Sequence, residues 1–132
     1  MSTPAQRIAL VAAARAVRRR AHAPYSKFTV GAAVLDERGR ISAGCNLENV
    51  SYGLTVCAER NAIAAAVAAG ARRIRAVAVA SGASPPASPC GACRQVIAEL
   101  GDADTEVLIA GSKGAAERTT LGALLPRAFS TF

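Results

Sequence analysis

The stretch Ile74-Arg75-Ala76-Val77-Ala78-Val79-Ala80 decides how this chain folds. It is apolar except for Arg75, and its length and valine content are those of a strand buried on both faces. Working upstream, the Ala-rich segment that starts near Val56 reads as a helix stopped by Gly70. Downstream, Ser81 to Pro89 is a Gly/Ser/Pro loop that delivers the chain to Cys90. A helix over Gly91–Leu100, closed by Gly101, leads to a second strand over Glu106–Ala110, and a short helix follows Thr120. Nearer the start, Lys27–Leu35 and Arg40–Leu47 read as strands joined through the hairpin turn Asp36-Glu37-Arg38-Gly39. Pro4 to about Ala21 reads as an amphipathic helix with Ile8, Val11 and Ala12 on its apolar side, and Ser2-Thr3-Pro4 supplies its cap and first turn. No internal repeat or linker interrupts residues 1–132, so one α/β domain is expected, its sheet covered by helices.

Composition narrows the class further. With 132 residues, 52% hydrophobic and 19% charged, the chain can bury a core without covalent staples. That core must be aliphatic, because there is no Trp and only two Tyr and three Phe. The net charge of +7 raises the question of a polyanionic partner. Arg15, Arg18, Arg19 and His22 fall at helical spacing, and no acidic residue precedes Asp36. Cations near a helix C-terminus complement its dipole, and no aromatic residues interleave with them to stack on bases. The expectation is a solvated or subunit-facing basic surface, with no nucleic-acid partner. No stretch is long and apolar enough to span a membrane, and no secretory signal is visible. The arginine-rich start resembles a transit peptide but lacks serine enrichment, so the expected location is cytoplasmic.

Four cysteines in a secreted chain of this size would mean disulfides, but here their spacing points to a metal. Cys90 and Cys93 form C-x-x-C, and Cys57 stands 33 positions before Cys90. Each group lies where the chain turns into a helix, and helix N-termini stabilise thiolates, the form that binds metal. Three protein ligands leave a fourth tetrahedral position open, as in catalytic zinc sites. Cys45 as a fourth ligand would close the site and make it structural, but its alternation on a strand face favours a buried, inert thiol. The single histidine, His22, is far from both motifs. Glu59, two residues after Cys57, is either a first-turn acid favoured by the helix dipole or a proton carrier beside a metal. Beside three spaced cysteines, the proton carrier is the better reading.

Cys57-Ala58-Glu59 with Pro89-Cys90-Gly91-Ala92-Cys93 is the all-cysteine form of the H-x-E…P-C-x-x-C signature of zinc deaminases. The match continues through Phe28-Thr29-Val30-Gly31-Ala32-Ala33, Asn46-Leu47-Glu48-Asn49, Ser51-Tyr52-Gly53-Leu54-Thr55, Arg60, Ser88 to Gln95, and Leu124 to Phe129. From about Pro24 to Phe129 the chain resembles the small homotetrameric cytidine deaminases. The resemblance implies a three-layer α/β/α fold with a mixed sheet of about five strands and helices on both faces. It also implies one Zn2+ per subunit held by Cys57, Cys90 and Cys93, with Glu59 as proton shuttle. Asn46 and Glu48 would bind the sugar 3′-hydroxyl of a free nucleoside, Phe28 would line the pocket, and the Ala58 N–H would hold the base carbonyl. Arg60 would hydrogen-bond the ligand sulfurs. Phe129 and Tyr52 would complete active sites shared between subunits of a homotetramer. The expected reaction is hydrolysis of cytidine and 2′-deoxycytidine by water activated at the zinc. Two rival substrates remain at this point, a cytosine within a polynucleotide and a cytosine-containing antibiotic. A zinc-stabilised binding module is a further alternative, but it would need a closed site and has no use for Glu59.

Overall fold

In the computed structural model, which describes residues 2–131, the apolar run is strand β3 (Ile74–Ser81). Met1 and Phe132, the two ends of the expected domain, lie outside the described residues. The hairpin supplies β1 (Val30–Asp36) and β2 (Ile41–Cys45), and the chain later adds β4 (Glu106–Ala110) and β5 (Glu117–Thr120). The sheet order is β2-β1-β3-β4-β5. β1 is antiparallel to β2 and to β3, β3 is parallel to β4, and β4 is antiparallel to β5. This is the expected mixed five-stranded sheet.

Alternation along β3 puts alanines on one face and valines on the other. Ala76, Ala78, Ala80, Ala33, Leu35 and Leu108 face helix α1 (Pro4–Val17), where Leu10 and Ala14 are fully buried. On the other face, Ala32, Val34 and Val77 pack with Ala62 and Ile63 of α2 (Ala58–Ala68) and Ile97 of α3 (Gly91–Leu100). Small residues on the α1 side let that helix sit close to the sheet. A short α4 (Leu121–Leu124) follows β5, capped by the Thr120 hydroxyl. No helix among the described residues is long and apolar enough to cross a membrane.

Several expected boundaries shift, each for a physical reason. α1 begins as expected, with a capping box between Thr3 and Gln6. It ends at Val17, and the chain tightens into a 3-10 turn over Arg18–Arg20. His22 therefore leaves the helix and forms an isolated bridge with Leu47, so the four basic residues do not share one helical face. β1 starts at Val30 instead of Lys27, because Lys27 has φ +62°, outside extended geometry. β2 ends at Cys45, after which Asn46 turns its side chain onto the neighbouring segment. β5 has no counterpart in the sequence reading. Glu117-Arg118-Thr119-Thr120 lacks apolar alternation and is held as an edge strand by its ladder to β4 and an Arg118–Glu106 ion pair at 2.9 Å.

One contact fixes where α2 starts. A Cβ added at Gly44 would lie 2.4 Å from the Ala62 nitrogen and 2.7 Å from the Asn61 carbonyl carbon, so α2 rests directly on the backbone of β2. Asn61 Nδ2 reinforces this by donating to the Cys45 carbonyl at 2.8 Å. Gly44→Ala is expected to destabilise the fold by about 2–3 kcal/mol through overpacking. That is a drop of roughly 10 °C in Tm for a chain of this size, read by circular dichroism. An unchanged Tm would show that α2 can slide off Gly44.

Candidate active site

α2 runs into β3 from one side and α3 leaves β3 through the 82–89 loop, so both helices begin at the C-terminal end of that strand. Crevices at such strand ends are the usual ligand sites of α/β sheets. Cys57 is the N-cap of α2 and Cys90 the N-cap of α3, and neither thiol caps its own helix. Cys93 sits one turn into α3 and is fully buried. The loop is braced by Arg94, which donates to Pro89 O at 2.7 Å, Leu124 O at 2.8 Å and Ser88 Oγ at 2.9 Å.

These constraints bring three sulfurs together. Cys57 Sγ lies 3.9 Å from Cys90 Sγ, Cys90 Sγ lies 3.5 Å from Cys93 Sγ, and all three lie within 4.8 Å of one another. Zinc–sulfur bonds of about 2.3 Å at tetrahedral angles set the sulfurs about 3.8 Å apart, so the triangle fits zinc with one position left open. Among the described residues, Cys45 is not in this cluster, and it is half-buried where a buried thiol was expected. Among the described residues, His22 does not join it either.

The electrostatics follow from the packing. The Cys57 thiol is lowered to about 5, chiefly by a hydrogen bond from Cys93 and also by the Arg60 guanidinium, while burial opposes the shift. Cys93 is pushed up by that same hydrogen bond, by burial and by the charge of Glu59. Thiols must be deprotonated to bind a metal, so metal binding would release the protons that the three cysteines carry. Glu59 is only 4% exposed, and burial raises its carboxyl, with the Cys57 charge adding to the effect. Arg60 Nη2 lies 3.6 Å from Cys57 Sγ and donates to Thr55 O at 3.3 Å. Its buried Nε has no acceptor among the described residues, an arrangement that costs about 1–3 kcal/mol. Such an orphan donor suits a neighbour carrying excess negative charge, as three thiolates around a divalent ion do.

A second group surrounds the exit of β2. Asn46, 8% exposed, accepts from Val30 N at 2.9 Å and donates to Phe28 O at 2.8 Å, so part of its amide is committed to the fold. Glu48 accepts from Tyr25 N at 3.0 Å, Ser26 N at 3.1 Å and Ser26 Oγ. The Ser26 hydroxyl in particular holds its carboxyl below the usual range. Ala58 is the first residue of α2, where backbone N–H groups lack intrahelical acceptors. Phe28, Tyr52 and Phe129 are 43%, 75% and 64% exposed, and Tyr52 meets Tyr25 edge-on with ring centroids 6.0 Å apart. Gln95 Nε2 donates to Phe129 O at 2.9 Å, tying the chain end to α3. Ser26, Asn61, Arg94 and Gln95 had no assigned role in the sequence, because their bonds go to backbone atoms or partners that spacing does not reveal.

The cytidine and deoxycytidylate deaminase zinc-binding region matches residues 4–109. A cytidine deaminase of Sporosarcina psychrophila is 50% identical over 121 residues, covering 92% of this chain and 89% of the relative. One from Mycobacterium tuberculosis is 47% identical over 109 residues, 83% of this chain and 78% of the relative. Among solved structures, cytidine deaminase from Burkholderia pseudomallei superposes with TM-score 0.88 at 49% identity, covering 92% of this chain and 98% of that one. With its sulfur triangle at two facing helix starts and a match that runs through both cysteine motifs, the chain belongs to the zinc-binding cytidine and deoxycytidylate deaminase family.

Proposed function

We propose that this protein hydrolyses cytidine and 2′-deoxycytidine to uridine and 2′-deoxyuridine with release of ammonia. The observation that carries this reading is the triangle of Cys57, Cys90 and Cys93 with one open position and the buried Glu59 at its side. These sulfurs would hold one zinc per subunit, which supplies the Lewis acidity that makes water a nucleophile at neutral pH. Glu59 takes a proton from the attacking water and places it on N3 as C4 becomes tetrahedral. It then carries the second proton to the amine, the C4–N bond breaks, and ammonia leaves. A carboxyl raised by burial is suited to give and take protons near neutrality. The Ala58 N–H holds the carbonyl oxygen at position 2 of the base, and Phe28 lines the pocket. Asn46 and Glu48 bind the 3′-hydroxyl, while Arg60 offsets the excess charge of the thiolates. A site that needs three reduced thiols suits a reducing compartment, which supports a cytoplasmic location.

Loss of cytidine absorbance in the ultraviolet tests the activity directly. Glu59→Gln is expected to keep one zinc per chain yet lower kcat by about 10²–10⁴, the usual contribution of a general acid–base. A Glu59→Gln variant that loses its zinc, or full activity in metal-free protein, would overturn the assignment.

We further infer a homotetramer with composite active sites. The support is the exposure of the rings of Phe28, Tyr52 and Phe129, the kind of apolar side chain that association covers. Four identical chains usually close with dihedral symmetry. Removing residues from Phe129 onward is expected to reduce kcat/KM by at least about tenfold, the scale of one lost stacking contact. A fully active monomer in sedimentation equilibrium would refute the composite site.

A further inference from the structure

Glu48 is already heavily engaged before any substrate arrives. Its Oε1 accepts two backbone N–H groups, from Tyr25 at 3.0 Å and Ser26 at 3.1 Å. Two bonds on one oxygen fix a point but leave the carboxylate free to turn about it. The Ser26 hydroxyl removes that freedom by donating to Oε2. The same Oγ accepts the Phe28 N–H at 2.9 Å, so one side chain joins Glu48 to the backbone of the pocket-lining Phe28. The intervening Lys27, at φ +62° and with its N–H donated to Ala23 O at 3.0 Å, makes the bend that lets both bonds form. A carboxylate has about four acceptor positions. Three are occupied, and the one that remains is on Oε2.

We propose that Ser26 is the positioning residue of the sugar subsite. Its hydroxyl fixes the plane of the Glu48 carboxylate, so that a single lone pair of Oε2 is offered to a single substrate hydroxyl. The proposal rests on the reading of Glu48 as the partner of the 3′-hydroxyl. Ser26 touches no reacting atom and acts through Glu48.

The test compares wild type, Ser26→Ala and Ser26→Thr on cytidine and on 3′-deoxycytidine, which lacks the hydroxyl to be read. First-order decay at excess enzyme keeps the weaker substrate measurable. Ser26→Ala is expected to raise KM for cytidine about tenfold with kcat changed less than about threefold, the scale of one charge-assisted hydrogen bond. On 3′-deoxycytidine its kcat/KM should match wild type within about twofold, since the disordered lone pair then has nothing to bind. Ser26→Thr, which keeps the hydroxyl, should recover cytidine kcat/KM to within about threefold of wild type. Equal losses on both substrates would mean that Ser26 only holds the loop, and no loss on cytidine would mean that it does nothing here. Either result overturns the proposal. A wild-type enzyme indifferent to the 3′-hydroxyl would instead sink the assignment of Glu48, and the role of Ser26 with it.

Discussion

Three sulfurs can meet only if two helices begin at the same point, and the backbone around the site is arranged to meet that requirement. α2 is located by the absence of a side chain at Gly44 and by the Asn61 bond to Cys45 O. α1 is seated the same way on the opposite face, where a Cβ at Gly31 would lie 2.0 Å from Ala14 O. Contacts made through glycine have no rotamers to relax, so helix position is set by the strand itself. α3 is placed differently, by the braced loop that ends at the buried Pro89. The two placements converge because both helices meet the C-terminal end of β3.

That convergence puts two titratable groups with opposite tendencies on one helical turn. Cys57 is drawn toward the thiolate by Cys93 and Arg60, whereas burial drives Glu59 toward the neutral acid. Environments that push the pKa values of neighbouring groups apart in this way fit them for different tasks. Arg60 joins the two, since its charge stabilises the sulfur side while its buried Nε has no acceptor among the described residues. A neutral residue there would leave the cluster with more negative charge than the ion can balance.

The order of helices and strands was legible because it depends on local pattern. Gly70 sits at φ +104° just past α2, and Cys57 and Cys90 mark the helix starts, as their spacing indicates. β5 was not legible, because its Thr, Arg and Glu residues are held by the ladder to β4 and not by a buried face of their own. The site divides along the same line. The cysteine triangle follows from spacing plus two helix starts. By contrast, no spacing discloses that the Asn46 amide pins residues 28 and 30. The lone-pair count on Glu48 depends on a left-handed residue at Lys27, where glycine would have been the expected signal.

The basic composition also has a structural explanation. Arg15 donates to Gly111 O at 3.0 Å and Gly114 O at 2.7 Å, Arg18 to Thr29 O at 3.0 Å, and Arg75 to Asp36 O at 3.1 Å. Arg72 and Arg94 likewise end on main-chain carbonyls. A guanidinium carries five donors in a planar fork and can satisfy several loop carbonyls at once. A carbonyl offers only partial negative charge, so each such staple adds a full positive charge to the chain without calling for a carboxylate. Part of the excess of sixteen Lys and Arg over nine Asp and Glu then follows from such bonds, and the net charge of +7 does not by itself call for a polyanion. Many of the arginines that a phosphate backbone would need as free forks are already bonded to main-chain carbonyls of this chain.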